Sequence, residues 1–262
     1  MIFVKIKEVI DKLNTLAPPE LAYDWDNVGL LCGSDEREVT GILLTLDLDV
    51  NVVLEAKEKG ANLIVGHHPI LFEPLKKVTD KTPDGKILMA LIENGISYFA
   101  AHTNLDIVEN GLNDLMAKKL GLKDTKILDF TADSTGIGRT GELEPITLKD
   151  LAEKTKTVFN AGKVRICGDE NAVITKISVC TGGGASFIDA ALKEGADVLI
   201  TGDFKYNQMR DSVALGLNII DIGHYNTEII CCKIFDDFLK NSLGDKISVH
   251  ISEENKNVAK FI

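Results

Sequence analysis

"EKGANLIVGHHP", residues 58–69, recurs without gaps as "KEGADVLITGDF", residues 193–204. Each copy has a turn, an apolar run of strand length and then a pair of residues at which the run ends. A second match follows in the same order: "NGISYFAAHTNLD" (94–106) resembles "LGLNIIDIGHYNTE" (215–228), with one residue of slack. Both segments of this second match end in histidine, three residues and a carboxylate. Two matches in the same order predict an internal duplication.

Strand-like and helix-like segments alternate around these repeats. Apolar runs at 41–48, 62–66 and 96–102 precede helical patterns at 50–60, 85–95 and 110–121, and the rhythm returns from the apolar run at 174–180. Such alternation is typical of α/β proteins with many parallel strands. The sequence therefore predicts an α/β fold made of two intertwined lobes that are related by the internal duplication.

The predicted boundaries follow from the repeats. We expect a first lobe over residues 1–124, a connecting segment over 125–172 and a second lobe over 173–262. The connecting segment contains a Gly-rich turn, a strand and a helix for which Thr147 is a plausible N-cap. Residues 1–14 have the pattern of an amphipathic helix and not of a signal peptide.

Composition restricts the functional classes. The formal net charge is −11, which disfavours nucleic-acid binding because such a surface repels a phosphate backbone. No stretch approaches the roughly 18 apolar residues of a membrane span, so no membrane segment is expected. The five cysteines include no Cys-x-x-Cys pair, which favours reduced thiols and a cytoplasmic location.

Four of the five histidines lie at predicted strand ends: His67, His68, His102 and His224. Neighbouring side chains in a strand point to opposite faces, but the chain leaves the sheet at the carboxyl end of a strand, where open α/β sheets bind ligands. Two adjacent imidazoles can each reach a different ion there, which suits a two-metal site. The alternative for each of these histidines is a solvated turn. His250, in the polar C-terminal segment, is expected at the surface.

The duplication supplies carboxylates at matching positions. The candidate ligands are His67, His68, Asp106, His224 and Glu228. Three nitrogens and two carboxylates suit two divalent ions, with zinc, iron, manganese or cobalt all compatible and one carboxylate able to bridge them.

Three further segments have competing interpretations. Asp203 and Tyr206 in "GDFKY" (202–206) are candidates for substrate binding or members of a solvated loop. "CTGGGAS" (180–186) is either an anion-binding turn or a tight turn that needs positive φ. In "YDWDNVGLLCG" (23–33), Asp26 or Asn27 can line the cleft, whereas Trp25 is expected to pack under a loop.

Six of these segments together carry a family resemblance: "LAYDWDNVGLLCG", "GHHPILF", "AHTNLD", "GIGRTGEL", "TGDFKY" and "IGHYNTE". In this order, and from about residue 10 to 262, they resemble the GTP cyclohydrolase I type 2 homolog family, also called NIF-three-like proteins. The chain looks like the short form of that family, without an inserted middle domain.

The resemblance implies two intertwined lobes related by a pseudo-dyad and assembled as a ring-shaped homohexamer. It implies a dinuclear metal site that uses the five ligands named above, with Glu228 shared by both ions. His102 corresponds to a position beside the metals, where it either supports the metal ligands without binding the ions or carries a proton.

A metal-dependent hydrolase acting on a nucleotide-like or phosphorylated small molecule is the leading functional hypothesis, because paired ions activate water and stabilise an oxyanion. The alternative is a non-catalytic protein for metal binding, metal delivery or regulation. The cyclohydrolase label comes from the family name alone, since the chain has no evident motif of classical GTP cyclohydrolases.

Overall fold

The computed structural model describes residues 4–260. Residues 1–3 of the predicted first helix and residues 261–262 of the predicted second lobe lie outside the described residues. The chain divides into two compact units. The first contains the residues up to Val108 together with Cys231–Lys256, and the second contains Glu109–Ile230 and the residues from Asn257 onward. The chain thus leaves the first unit, builds the second and returns.

Among the described residues, the α-helices are α1 (Ile6–Leu16), α2 (Val50–Glu58), α3 (Pro83–Asn94), α4 (Thr103–Ile107), α5 (Leu112–Leu120), α6 (Leu148–Val158), α7 (Ile188–Lys193), α8 (Tyr206–Ala214), α9 (His224–Glu228) and α10 (Cys231–Leu243). The strands are β1 (Gly29–Cys32), β2 (Ile42–Thr45), β3 (Leu63–Gly66), β4 (Ser97–Ala100), β5 (Lys123–Ala132), β6 (Thr135–Thr147), β7 (Arg165–Cys167), β8 (Val173–Val179), β9 (Val198–Thr201), β10 (Asn218–Asp221) and β11 (Val249–Ile251). None of the helices in this part of the chain is long and apolar enough to span a bilayer.

The first unit is built on a five-stranded sheet in the order β1-β4-β3-β2-β11. Strands β4, β3, β2 and β11 are parallel, and β1 is antiparallel at one edge. Every residue of β2, β3 and β4 is buried, as expected for parallel strands covered on both faces. Val52 and Val53 of α2 and Leu88 and Leu91 of α3 join one side of this sheet in a single core cluster.

The second unit is built on a six-stranded sheet in the order β5-β6-β8-β9-β10-β7. Strands β8, β9 and β10 are parallel, whereas β5, β6 and β7 extend the sheet in antiparallel pairings. Alternate residues of β9 enter different cores, because Val198 and Ile200 pack with α5 and α6 whereas Leu199 packs with α7 and α8. Both faces of this sheet are therefore covered by helices.

The predicted duplication is confirmed by strand register. In the first unit Ile64 of β3 is opposite Tyr98 of β4, and in the second the aligned residue Leu199 of β9 is opposite Ile219 of β10. On the other side Leu43 of β2 faces Ile64 as Ser178 of β8 faces Leu199. The α/β class with two duplicated lobes is confirmed, and each lobe keeps the same three parallel strands.

The compact units differ from the predicted boundaries at both ends of the second copy. Residues 125–172 are part of the second unit, where β5 and β6 form a long antiparallel hairpin. Thr147 is the N-cap of α6, as predicted, and accepts a hydrogen bond of 3.1 Å from Asp150 N. The segment after residue 230 returns to the first unit, where β11 pairs with β2. His250 accordingly lies in an edge strand, where it is partly buried.

Candidate metal centre

Three histidines of the first unit converge where two parallel strands end. His67 and His68 directly follow β3, and His102 follows β4 by two residues. Since Gly66 is opposite Ala100, the two strands end at the same edge of the sheet. One ligand nitrogen from each of the three rings lies within 4.8 Å of the others. We call these three residues the first-unit histidine group, and their imidazoles can bind a metal ion.

Each of these rings is oriented through Nδ1. The Nδ1 atom of His67 lies 2.8 Å from the carbonyl oxygen of Ala101, and that of His68 lies 2.7 Å from Oδ1 of Asp47. An oxygen that can only accept fixes the hydrogen on Nδ1, so that Nε2 carries the lone pair needed to bind a metal. This is how carboxylates and carbonyls position imidazole ligands in metalloproteins.

His102 is oriented in the same way by Asp26. Its Nδ1 lies 2.9 Å from Oδ1 of Asp26, while Oδ2 of that carboxylate accepts a hydrogen bond of 3.0 Å from Thr103 N and another from the Thr103 hydroxyl. Burial by itself raises the pKa of Asp26, but the hydrogen bonds that it accepts from His102 and Thr103 outweigh burial and lower the pKa to about 2. Asp26 is therefore ionised and holds His102 in one orientation.

Asp106 lies one helical turn after His102, on the short helix α4. Its Oδ2 is 3.9 Å from Nε2 of His67, and both side chains are buried. Asn104 anchors the helix by donating a hydrogen bond of 2.8 Å to the carbonyl oxygen of Ala17. His67 and Asp106, two of the candidate ligands, therefore lie close together in the first unit.

In the second unit, His224 and Glu228 occupy the two ends of α9. Nε2 of His224 lies 2.8 Å from Oε2 of Glu228, and Nδ1 lies 2.8 Å from Oδ2 of Asp203. A neutral imidazole has only one N–H, so it can donate to only one of these two carboxylates. With the ring N–H donated to Asp203, Nε2 of His224 and the carboxylate of Glu228 can together bind a cation. The pair of His224 and Glu228 therefore has the donor chemistry that suits a metal ion.

Glycines provide the space for the Glu228 carboxylate. Gly182 has φ of +67°, and a Cβ placed on it would lie 2.3 Å from Oε1 of Glu228. The amides of Gly182 and Gly184 donate to the hydroxyls of Thr227 and Thr201, at 2.7 and 2.8 Å. These contacts favour the interpretation of the Gly-rich segment as a tight turn that makes room for a carboxylate, over its interpretation as an anion-binding turn.

Asp203 has a role that the sequence did not indicate. It aligns with His68, yet it acts on His224, and it has a left-handed φ of +61°, which is rare for a residue other than glycine. The buried Asp221 stabilises this loop by accepting hydrogen bonds from Phe204 N at 3.2 Å and from the guanidinium of Arg165. Tyr206 is 79% exposed at the start of α8, and its role in substrate binding stays a prediction.

Trp25 differs from expectation. It was predicted to pack under a loop, but 58% of its surface is exposed. The neighbouring Asp26 explains the difference. Its carboxylate points inward and forms hydrogen bonds with His102 and Thr103, and these contacts hold the loop with Trp25 at the surface. Asp26 and Asp47 were both missed as partners of histidines, since they lie 76 and 21 residues away from them in the chain.

The first unit therefore contains three histidines and Asp106 after its strands, and the second contains His224 and Glu228 after β10. These are donor groups that can bind a metal, on a duplicated α/β fold. The family model described as Duf34/NIF3 (NGG1p interacting factor 3) matches residues 4–258. The chain belongs to this family, and the predicted resemblance is confirmed.

Named relatives extend over almost the whole chain. The "GTP cyclohydrolase 1 type 2 homolog" of Clostridium perfringens is 39% identical, over 99% of this chain and 100% of that protein. A solved structure of a Bacillus cereus protein related to NIF3 has a TM-score of 0.94 and 25% identity, with both chains fully covered. A Staphylococcus aureus protein, SA1388, has a TM-score of 0.90 and 30% identity over 99% of each chain.

Proposed function

We propose that the protein binds two divalent metal ions through His67, His68, Asp106, His224 and Glu228 and uses them to hydrolyse a nucleotide-like or phosphorylated small molecule. The observation that carries the proposal is the common orientation of the imidazoles. Each of the four strand-end histidines places Nδ1 against an oxygen, and in His68, His102 and His224 that oxygen belongs to an aspartate. Such an arrangement prepares Nε2 for a metal.

The donor set fits the proposed ions. Neutral imidazoles and carboxylates together suit zinc, iron, manganese or cobalt. Asp106 and Glu228 are buried, and a buried carboxylate is costly unless a cation or hydrogen bonds compensate for it. When bound, a pair of ions would lower the pKa of a water molecule and supply positive charge for an anionic substrate group.

The residues of the chain have separate roles in this proposal. Asp26, Asp47 and Asp203 orient their imidazoles, and Gly182 leaves space for the carboxylate of Glu228. His102 is fixed by Asp26 beside His67 and His68, at ring-centroid distances of 5.1 and 5.6 Å. This places it to carry a proton to or from a group held at the histidine group.

Elemental analysis tests metal binding. Protein purified without added metal is compared with His68→Ala, Glu228→Gln and the matched variant His250→Ala, whose histidine lies in β11 and outside the histidine group. We expect about two ions per chain in the wild type and in His250→Ala, and fewer in the other two variants. A metal-free wild type, or equal metal content in Glu228→Gln, would contradict the proposal.

Turnover tests hydrolysis separately. Metal-loaded protein is assayed against a panel of nucleotides and phosphoesters, with Glu228→Gln as the control. Hydrolysis that depends on added metal and is reduced in Glu228→Gln is expected. Two bound ions without turnover on any member of the panel would instead favour the non-catalytic alternative, a protein for metal delivery or regulation.

A further inference from the structure

Three aromatic side chains form an exposed surface beside the first-unit histidine group. Tyr23 and Trp25 stack with their ring centroids 5.3 Å apart and an angle of 17° between planes, and Phe72 lies 5.8 Å from Trp25. Even with Tyr23 against it, Trp25 is 58% exposed, and Phe72 is 47% exposed. We call these three residues the aromatic ledge. Large apolar rings grouped at the surface usually mark a binding site.

The ledge is held in place from both sides. Asp26 N donates to the carbonyl oxygen of Tyr23 at 2.9 Å, and Tyr23 N donates to the hydroxyl of Thr103 at 3.1 Å. Asn27 Nδ2 donates to the carbonyl oxygen of Leu71 at 2.5 Å, which connects the Trp25 loop to the residue before Phe72. The backbone that carries the rings is therefore restrained before any ligand arrives, which reduces the entropy lost on binding.

The position of the ledge indicates what it binds. Trp25 meets His102 edge to face at 6.4 Å, and His102 in turn lies against His67 and His68. A flat ring that stacks on the exposed surface of Trp25 would thus lie close to imidazoles that can bind metals. Heterocycles with ring nitrogens or carbonyls have both a π-face for stacking and a polar edge.

The charge beside the ledge and the small number of exposed rings indicate which ligand the ledge binds. Phe72 also lines a cavity of about 270 Å³ that contains the carboxylates of Asp47, Glu73 and Asp84. These carboxylates disfavour a phosphate group on the Phe72 side of the ledge and favour an uncharged ring there. A second protein copy is a poorer occupant, because three side chains are few compared with the roughly 20 to 30 residues that each partner contributes to a stable interface.

We propose that the aromatic ledge binds a planar, uncharged nitrogen heterocycle of the nucleobase class by stacking on Trp25 and presents its polar edge to the first-unit histidine group. This heterocycle would be the ring of the substrate that the proposed hydrolase acts on, and its role in catalysis rests on that proposed function. Ring binding itself requires only the ledge, so it can be measured whether or not metal is present.

Fluorescence provides a specific readout, since Trp25 is the only tryptophan of the chain. The full-length protein, metal-free and metal-loaded, is titrated with adenosine, guanosine and cytidine, and with ribose 5-phosphate as a probe that has phosphate but no ring. We expect saturable quenching by the nucleosides in both forms and none by ribose 5-phosphate. No saturable nucleoside binding to either form would overturn the proposal, whatever the metal content.

Variants test whether Trp25 itself stacks on the nucleoside ring. Calorimetry with the best nucleoside is compared for the wild type, Trp25→Leu, Trp25→Phe and Phe130→Leu, which removes an equally exposed aromatic ring in the second unit. Loss of stacking predicts about tenfold weaker binding by Trp25→Leu, partial rescue by Trp25→Phe and no change in Phe130→Leu. Metal content should be unchanged in all four. Equal affinity in Trp25→Leu, or a change in its number of chains per particle by sedimentation, would refute the proposal, the latter by showing that a second copy covers the ledge.

Discussion

Replacement of Gly182 by alanine tests how the Glu228 carboxylate is positioned. The new Cβ would lie 2.3 Å from Oε1 of Glu228 and 3.4 Å from Cε1 of His224, so the carboxylate has to move. The left-handed φ of +67° adds a backbone penalty of about 1 to 2 kcal/mol for any residue with a Cβ. Gly182→Ala therefore carries a backbone effect and a metal-site effect.

Gly195→Ala separates the two effects. Gly195 has a nearly identical φ of +69°, but a Cβ placed on it would have no heavy atom within 4 Å. Both variants should lose about 1 to 2 kcal/mol of unfolding free energy in urea titrations. Only Gly182→Ala should also bind metal about 10- to 100-fold more weakly in chelator competition, because the ligand itself is displaced. Equal metal affinity in the two variants would show that the Glu228 carboxylate does not need this space, and the assignment of Glu228 as a ligand would lose its support.

Four further outcomes are expected. Asp47→Ala should weaken metal binding about 10-fold or more in chelator competition, because Nδ1 of His68 loses the oxygen that orients it. Tyr98→Phe should lower the unfolding free energy by about 1 kcal/mol in urea titrations, because the buried hydroxyl donates a 2.6 Å hydrogen bond to the carbonyl of His68. Glu55→Gln should be less stable than the wild type at pH 7 by about 1 to 2 kcal/mol. Burial raises the pKa of Glu55, but hydrogen bonds from two backbone amides and from Ser252 outweigh burial and lower the pKa. The stability difference between Glu55→Gln and the wild type should therefore be complete above pH 4.5, the ordinary pKa of a glutamate. It should disappear as the pH falls through the lowered pKa of Glu55. Light scattering should give a particle of six 28.5 kDa chains, because the family resemblance implies a ring-shaped hexamer, and the mass of a single chain would contradict it.

The parallel strands and the strand-end histidines were predictable because their signals are local. A buried parallel strand is a continuous apolar run such as Leu63–Gly66, and its end is marked by the first polar residues. The same signals occur in both copies of the repeat, which strengthened the prediction of the strands and of the histidines at their ends. Similar local signals predicted α6, whose N-cap Thr147 directly precedes the first residue of the helical pattern.

Long-range partners were not predictable in the same way. Strand β11 is three residues long, and its place beside β2 depends on a pairing of Val249 with Ile42 across some two hundred residues. The hairpin of β5 and β6 was not predicted, because most of β5 faces solvent and its sequence has no apolar run. One signal for the histidine partners was available, because Asp47 directly follows the apolar run that forms β2, where a carboxylate reaches the same sheet edge as His68.

The two copies provide similar scaffolds but different chemistry, and backbone packing explains why. The position that aligns with His67 is Gly202, where a Cβ would lie 2.5 Å from His224 N and 2.7 Å from the carbonyl carbon of Gly223. No imidazole can occupy that position without moving the start of α9, which carries His224 itself. The first copy can therefore contribute paired histidines, whereas the second contributes one histidine, oriented by Asp203, and a carboxylate held against Gly182. A histidine introduced at position 202 would displace an existing candidate ligand, so the site cannot be made symmetric by restoring the repeat.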